Sequence, residues 1–158
     1  MKRVLLVLSG ILLFAGGLAH ADQATEQEVI KTIIDDNVYT KKNLKGKEDT
    51  VAKEGSLEFW SSGGLLNKVK ADSAPQEFDA FSINVKHITV ITLVPGQIAV
   101  AQYYSEGSMD PRTSAAVSNY RTRVTQVYVK EGGKWKVRAA HWSPIAGGAG
   151  TSQTGSVD

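Results

Sequence analysis

The sequence has no cysteine. That excludes a thiol nucleophile, a thiolate metal site and any disulfide, so stability has to come from buried apolar surface. It also closes the lipoprotein route, whose anchor is built on an acylated cysteine. Histidine is nearly as scarce. Beyond residue 21 only His87 and His141 remain, on separate expected strands, too few for a convergent metal set, and no metal or other cofactor is expected. An excess of one charge is missing too. Lys2 and Arg3 belong to an N-terminal stretch that reads as a leader; setting them aside from the 18 basic residues leaves 16, against 16 acidic ones. Such a balance offers no electrostatic case for nucleic acid or an anionic membrane surface. No P-loop or dinucleotide glycine spacing occurs.

The leader has the order of a secretory signal. Lys2 and Arg3 precede an apolar run, Val4 to Leu18, broken only by Ser9 and glycines, and Ala19-His20-Ala21 puts small residues where a signal peptidase reads. The run is short beside the roughly 20 residues of a bilayer span. Expected, then, are a cleaved signal peptide over 1–21, a periplasmic or secreted protein with no membrane attachment after cleavage, one domain over 22–146, and a flexible tail over 147–158. The tail, "AGGAGTSQTGSVD" with the residue before it, is rich in Gly, Ser and Thr and lacks apolar anchors.

From Thr25 the period is helical. Val29, Ile30, Ile33, Ile34 and Val38 share a stripe, Thr25 and Glu28 have the spacing of a capping box, and Asn43 to Gly46 ends the segment. A second, shorter helix is expected over Lys47 to Lys53, and a loop from Asn67 to Gln76. After Phe78 the period becomes two. Strands are expected over Phe81–Val94, Ile98–Ser105, Tyr120–Lys130 and Lys134–Ser143, with Pro95-Gly96 and Gly132-Gly133 as turns and "EGSMDPRTSAAVS" as a loop. Helices first and an antiparallel meander after them make an α+β fold, the N-terminal helices packed on one face of a curved, mostly antiparallel sheet.

A two-residue turn at Gly132-Gly133 pairs positions whose numbers sum to 265. One face of the hairpin then holds Val124, Tyr128, Trp135, Val137, Ala139 and His141. The other holds Arg121, Arg123, Thr125, Val127, Val129, Arg138, Ala140 and Trp142. A bulge would shift the register by one and flip one strand. Both faces are rich in apolar residues, which points to helices over one and a second copy of the chain over the other.

The order of elements, "FWSSGG" and the hairpin "VTQVYVKEGGKWKVRAAHWS" resemble the NTF2-like superfamily, in particular its small exported SnoaL-like or DUF4440-like proteins, over about Glu26 to Ile145. The resemblance implies a cone-shaped, cystatin-like α+β fold with a pocket between helices and concave sheet face, and it puts Trp142 on the concave side and His141 on the convex side. It does not imply an activity, since this fold hosts enzymes, transport factors and oligomerisation domains. In the ketosteroid isomerases of that superfamily a concave-face acid falls at Thr125 here, and the pocket aromatic at Trp142. Three pocket arginines of the kinase association domains fall at Gln102, Gln126 and Trp142. None of those charged groups is retained.

Between Phe81 and Ile145 the only carboxylates are Glu106, Asp110 and Glu131, in expected loops or turns, which disfavours acid–base catalysis by a sheet carboxylate. Asp35, Asp36 and Asp79 stay open, the first two as solvated neighbours of the helical stripe. The candidate ligand-binding set is Trp60, Gln102, Tyr104, Arg123, Thr125 and Trp142, with Arg123 as a fixed fork for an anionic oxygen. The candidate catalytic residues are His141 as base and Arg123 as oxyanion stabiliser. Three functions remain: a homodimeric binder of a small, largely apolar molecule, dimerising through the convex face; a lyase, isomerase or cyclase-type enzyme; and a structural oligomerisation module.

Overall fold

The computed structural model describes residues 5–151, with side chains from Ala21 onward. The expected leader therefore lies almost wholly outside what is described at side-chain level. A single helix, α1 (Leu5–Asn43), precedes six strands: β1 (Ser56–Phe59), β2 (Asn67–Val69), β3 (Phe78–Val94), β4 (Ile98–Pro111), β5 (Val117–Glu131) and β6 (Lys134–Pro144). They form one sheet in the order β2-β1-β6-β5-β4-β3. All neighbours are antiparallel except β1 and β6. The architecture is the expected α+β cone, with α1 packed on the inner face of a curved sheet.

Helix α1 does not begin at Thr25. That residue sits in its interior, where its hydroxyl donates to the Ala21 carbonyl (2.8 Å) and accepts the Gly96 N–H (2.8 Å), tying the β3–β4 turn to the helix. Glu28, free of the capping role, accepts from Lys130 (2.5 Å) and from the Trp135 indole (2.8 Å). The helix ends where expected. Leu44 turns into the left-handed region (φ 52°), and its N–H donates to the Thr40 carbonyl. Only part of the apolar stripe is buried: Val29 is 0% exposed and Ile33 4%, but Ile34 is 43% exposed and Val38 56%. The sheet-facing line runs at every fourth residue through Thr25, Val29, Ile33 and Asn37, whose amide donates to the Ile83 carbonyl (3.2 Å).

The second helix expected over Lys47–Lys53 is absent. Asp49 adopts φ 61°, which a helix cannot contain, and Val51 forms an extended bridge to Val137. Thr50 accepts from Val137, and Ala52 donates back to it, so the segment lies along β6 as backbone ladder. The β-branched pair Thr50-Val51 suits that conformation better than a helix. Part of the expected 67–76 loop is strand β2, and the expected 106–118 loop shrinks because β4 runs on to Pro111 and β5 starts at Val117. Residues 147–149, within the expected tail, are bonded to β5: Arg121 donates to the Ala149 carbonyl and Ala149 to that of Asn119. Residues 152–158 lie outside the described residues.

The hairpin turn forms as expected, with Gly132 (φ 57°) and Gly133 (φ 79°) in the left-handed conformation that a two-residue turn of this hand needs. The 265 register holds from Glu131↔Lys134 to Tyr128↔Val137, then breaks at a bulge that leaves Arg138 without a partner. Beyond it the pairs are Val127↔Ala139, Gln126↔Ala140, Thr125↔His141 and Val124↔Trp142. A similar irregularity in β3 at His87 (φ 52°) separates Lys86↔Tyr104 from Thr89↔Gln102. Bulges bend and twist the strands that carry them, and here they curl the sheet around its inner face. Val29, Ile33, Val90, Ala99, Ala101, Val124 and Trp135 form the core under the helix, where two alanines on β4 let α1 approach closely. A second cluster, Phe78, Ile83, Met109, Val117 and Tyr120, fills the other end.

Candidate functional site

Because α1 covers only part of the inner face, a cavity of about 1390 Å³ opens beside it, roofed by the Lys45–Val51 and Asn67–Glu77 segments. Its walls carry Ile33, Phe81, Ile83, Val85, Met109 and Trp142, and Trp60 stands at its β1 end. Beneath these lies a polar floor. The hydroxyls of Tyr103 (2.7 Å) and Tyr128 (2.8 Å) both donate to the side-chain carbonyl of Gln126, and all three residues are buried. Among the described residues no hydrogen bond engages the NH₂ of Gln126, which lines the cavity. Burial raises both tyrosines above their ordinary range, and the nearby Asp36 charge adds to it, so each hydroxyl remains a donor at neutral pH.

Asp36, on the cavity side of α1, is held by Lys47 at 3.1 Å. Burial raises its carboxyl above 3.8, and the Lys47 pair offsets that only partly. The solvated position expected for it is therefore corrected. A second acid comes from β1. There Ser56 and Glu58 are buried while Leu57 and Phe59 are exposed, so Glu58 faces inward and lines the cavity. Its Oε2 accepts the Trp60 indole N–H at 2.8 Å. The sheet thus does present a carboxylate to the cavity, from a strand upstream of Phe81. Alternation in "SLEF" is the sequence signal for this strand.

Of the six candidate ligand-binding residues, Trp60 and Trp142 line the cavity. Gln102, Tyr104, Arg123 and Thr125 lie on the opposite, outer face, with His141. Thr125 pairs with His141 and with Gln102, and Arg123 with Tyr104 and Ser143. Arg123 donates to the Ser143 hydroxyl (2.8 Å), and His141 meets the ring of Phe59 edge-on at 5.7 Å. The grouping of Arg123 and Thr125 with Trp142 needed an unbroken 265 register. The bulge at Arg138 turns Trp142 toward Val124, Gln126 and Tyr128 instead, and leaves Arg123, Thr125 and His141 together outside. On β4 the buried series is Ala99, Ala101, Tyr103 and Ser105, which puts Gln102 and Tyr104 outward. Among the described residues no group of three or more His, Asp or Glu is arranged to hold a metal ion, and no helix is long and apolar enough to cross a membrane.

These features match a known class of solved structure. An NTF2-like protein of unknown function from Pseudomonas putida KT2440 aligns with 77% of this chain and 87% of its own, at 21% identity and a TM-score of 0.52. The fold is NTF2-like. An NTF2-like protein of unknown function from Prochlorococcus sp. NATL2A (17% identity, 66% and 77% of the two chains, TM-score 0.43) and the association domain of C. elegans CaMKII (14%, 73% and 89%, 0.42) are more distant. No family model matches the chain, and no curated protein does. At such identities the NTF2-like likeness describes the scaffold and leaves the chemistry to this chain's own cavity.

Proposed function

We propose that this protein is an exported NTF2-like domain of the SnoaL-like kind that binds a small, largely apolar molecule in the cavity and pairs with a second copy through the outer sheet face. The observation that carries the binding role is the Tyr103–Gln126–Tyr128 floor, three buried polar residues under apolar walls with one amide group left to a guest. Few, fixed polar groups in an apolar cleft are what orient a small ligand. Pairing is supported by Leu57, Phe59, Ile91, Leu93 and Tyr104, all exposed on the outer face. Export to the periplasm or medium is supported by the leader, with cleavage after Ala21. Native mass spectrometry of the exported protein tests these together. The expected species is a dimer beginning at Asp22 that retains a small molecule or takes up the uncharged apolar probe N-phenyl-1-naphthylamine. A protein that does neither ends the binding reading.

One observation favours a second reading, an acid–base enzyme of lyase, isomerase or cyclase type. Burial raises the Asp36 carboxyl in the cavity, in the direction that suits a general base near neutral pH. Its partners would be the Tyr103 and Tyr128 hydroxyls, since Arg123 and His141 lie on the far face. Turnover of an enolisable ketone by the wild type that Asp36→Asn abolishes, with the fold intact, would establish it; equal turnover by both proteins removes it.

A further inference from the structure

Glu58 is 8% exposed, yet no cation accompanies it among the described ion pairs. A carboxylate with so little exposed surface gains from a charged donor on its open oxygen. The protein supplies one, the Trp60 indole N–H on Oε2; among the described residues no hydrogen bond reaches Oε1. Its neighbour across the β1–β2 ladder is the uncharged Asn67; Lys68, paired with Leu57, lines the cavity elsewhere and forms no ion pair with Glu58 among the described residues. On the opposite side Glu58 pairs with Ala140, and Trp142 follows two residues along β6 on the same inner face. The carboxylate therefore stands at the cavity wall with the edge of the Trp60 indole on one oxygen, and Trp142 lies further along β6 on the same face. At the helix side of the same cavity, Asp36 shows how such an acid is satisfied here, by the ammonium of Lys47 at 3.1 Å. Glu58 has no such lysine.

We propose that Glu58 anchors a subsite for a protonated nitrogen, so that the molecule taken up by the cavity is an organic amine: an ammonium group against Oε1 of Glu58, and an apolar body along the walls that include Trp142. This rests on the small-molecule reading and names its ligand class. The test uses the folded chain and N-phenyl-1-naphthylamine as reporter, displaced by 2-phenylethylamine, 2-phenylethanol or 3-phenylpropionate at pH 7. The amine should displace at a concentration lower than the alcohol by about ten-fold, the worth of one charge-assisted hydrogen bond, and the carboxylate should be the weakest. In Glu58→Gln the reporter should bind as before and the amine's advantage should vanish. A reporter that never binds overturns the cavity reading itself. A reporter that binds without amine preference, or with a preference that survives Glu58→Gln, overturns the subsite alone. Should Glu58→Gln lose the wild-type circular dichroism, carbodiimide coupling of 2-phenylethylamine to the wild type decides. An amide mapped to Glu58 and suppressed by excess reporter supports the subsite; coupling confined to other carboxylates overturns it.

Discussion

Gln126 accepts two buried hydroxyl protons on one oxygen, so a single substitution strands both tyrosines. Gln126→Leu keeps the volume but leaves Tyr103 and Tyr128 without an acceptor, at about 1–3 kcal/mol for each orphaned group. Urea unfolding should show a loss of at least about 2 kcal/mol, and Tyr103→Phe, which leaves the Tyr128 bond in place, about 1 kcal/mol. Asp36 behaves in the opposite sense. Its folded pKa is raised by burial, so its contribution to stability is fully present below 3.8 and is lost as pH rises through the raised value. At neutral pH the charged side chain is therefore a net cost. Asp36→Asn should raise Tm at pH 7, and the gain should fade as pH drops below the ordinary carboxylate range; a lower Tm at pH 7 would show that the Lys47 pair outweighs burial. Neither role was legible residue by residue. Gln126 stood on the wrong side of an assumed register, and Asp36 sat at the edge of a stripe whose buried half only the sheet could select.

At the scale of elements, the single unpaired residue Arg138 sets the lining of the site. It turns Ala140 and Trp142 inward with Val124 and Gln126 and sends His141 out to Phe59. Deleting Arg138 would close the bulge and keep the pairs from Val127↔Ala139 to Val124↔Trp142, so Trp142 should stay inward and only the local bend should be lost. Flattening the sheet at that point misfits the core beneath it, at about 1–3 kcal/mol. Urea titration measures this, and an unchanged midpoint would show the bulge to be incidental. The hairpin and its glycine turn were readable because alternation and turn chemistry are local. The bulge was not, because nothing in "KVRAAHWS" marks which residue drops out of the ladder; strand curvature demands it. Likewise the 47–53 segment was misread as helix since its partner, Val137, lies far along the chain.

At the scale of the molecule, one face of the sheet is closed by α1 and the cavity, and the other stands open. With Phe59 46% exposed and Ile91 50%, that outer face is the surface proposed for a second copy. Light scattering at micromolar concentration should give twice the chain mass, and Ile91→Lys with Leu93→Lys should give the monomer with an unchanged near-ultraviolet spectrum. A monomeric wild type would contradict the pairing. The amino-acid sequence by itself determined the long first helix, the four long strands after it, the two glycine turns between them, the reliance on burial and the α+β class, because periodicity, glycine placement and the lack of cysteine act over a few residues at a time. Tertiary structure alone decided which side chains face the cavity. Facing depends on parity, parity on bulges, and bulges on how the whole sheet bends to meet a helix. That is why Trp142 and Trp60 came to the cavity while Arg123 and Thr125 did not, and why Glu58 emerged only once β1 was seated beside β6.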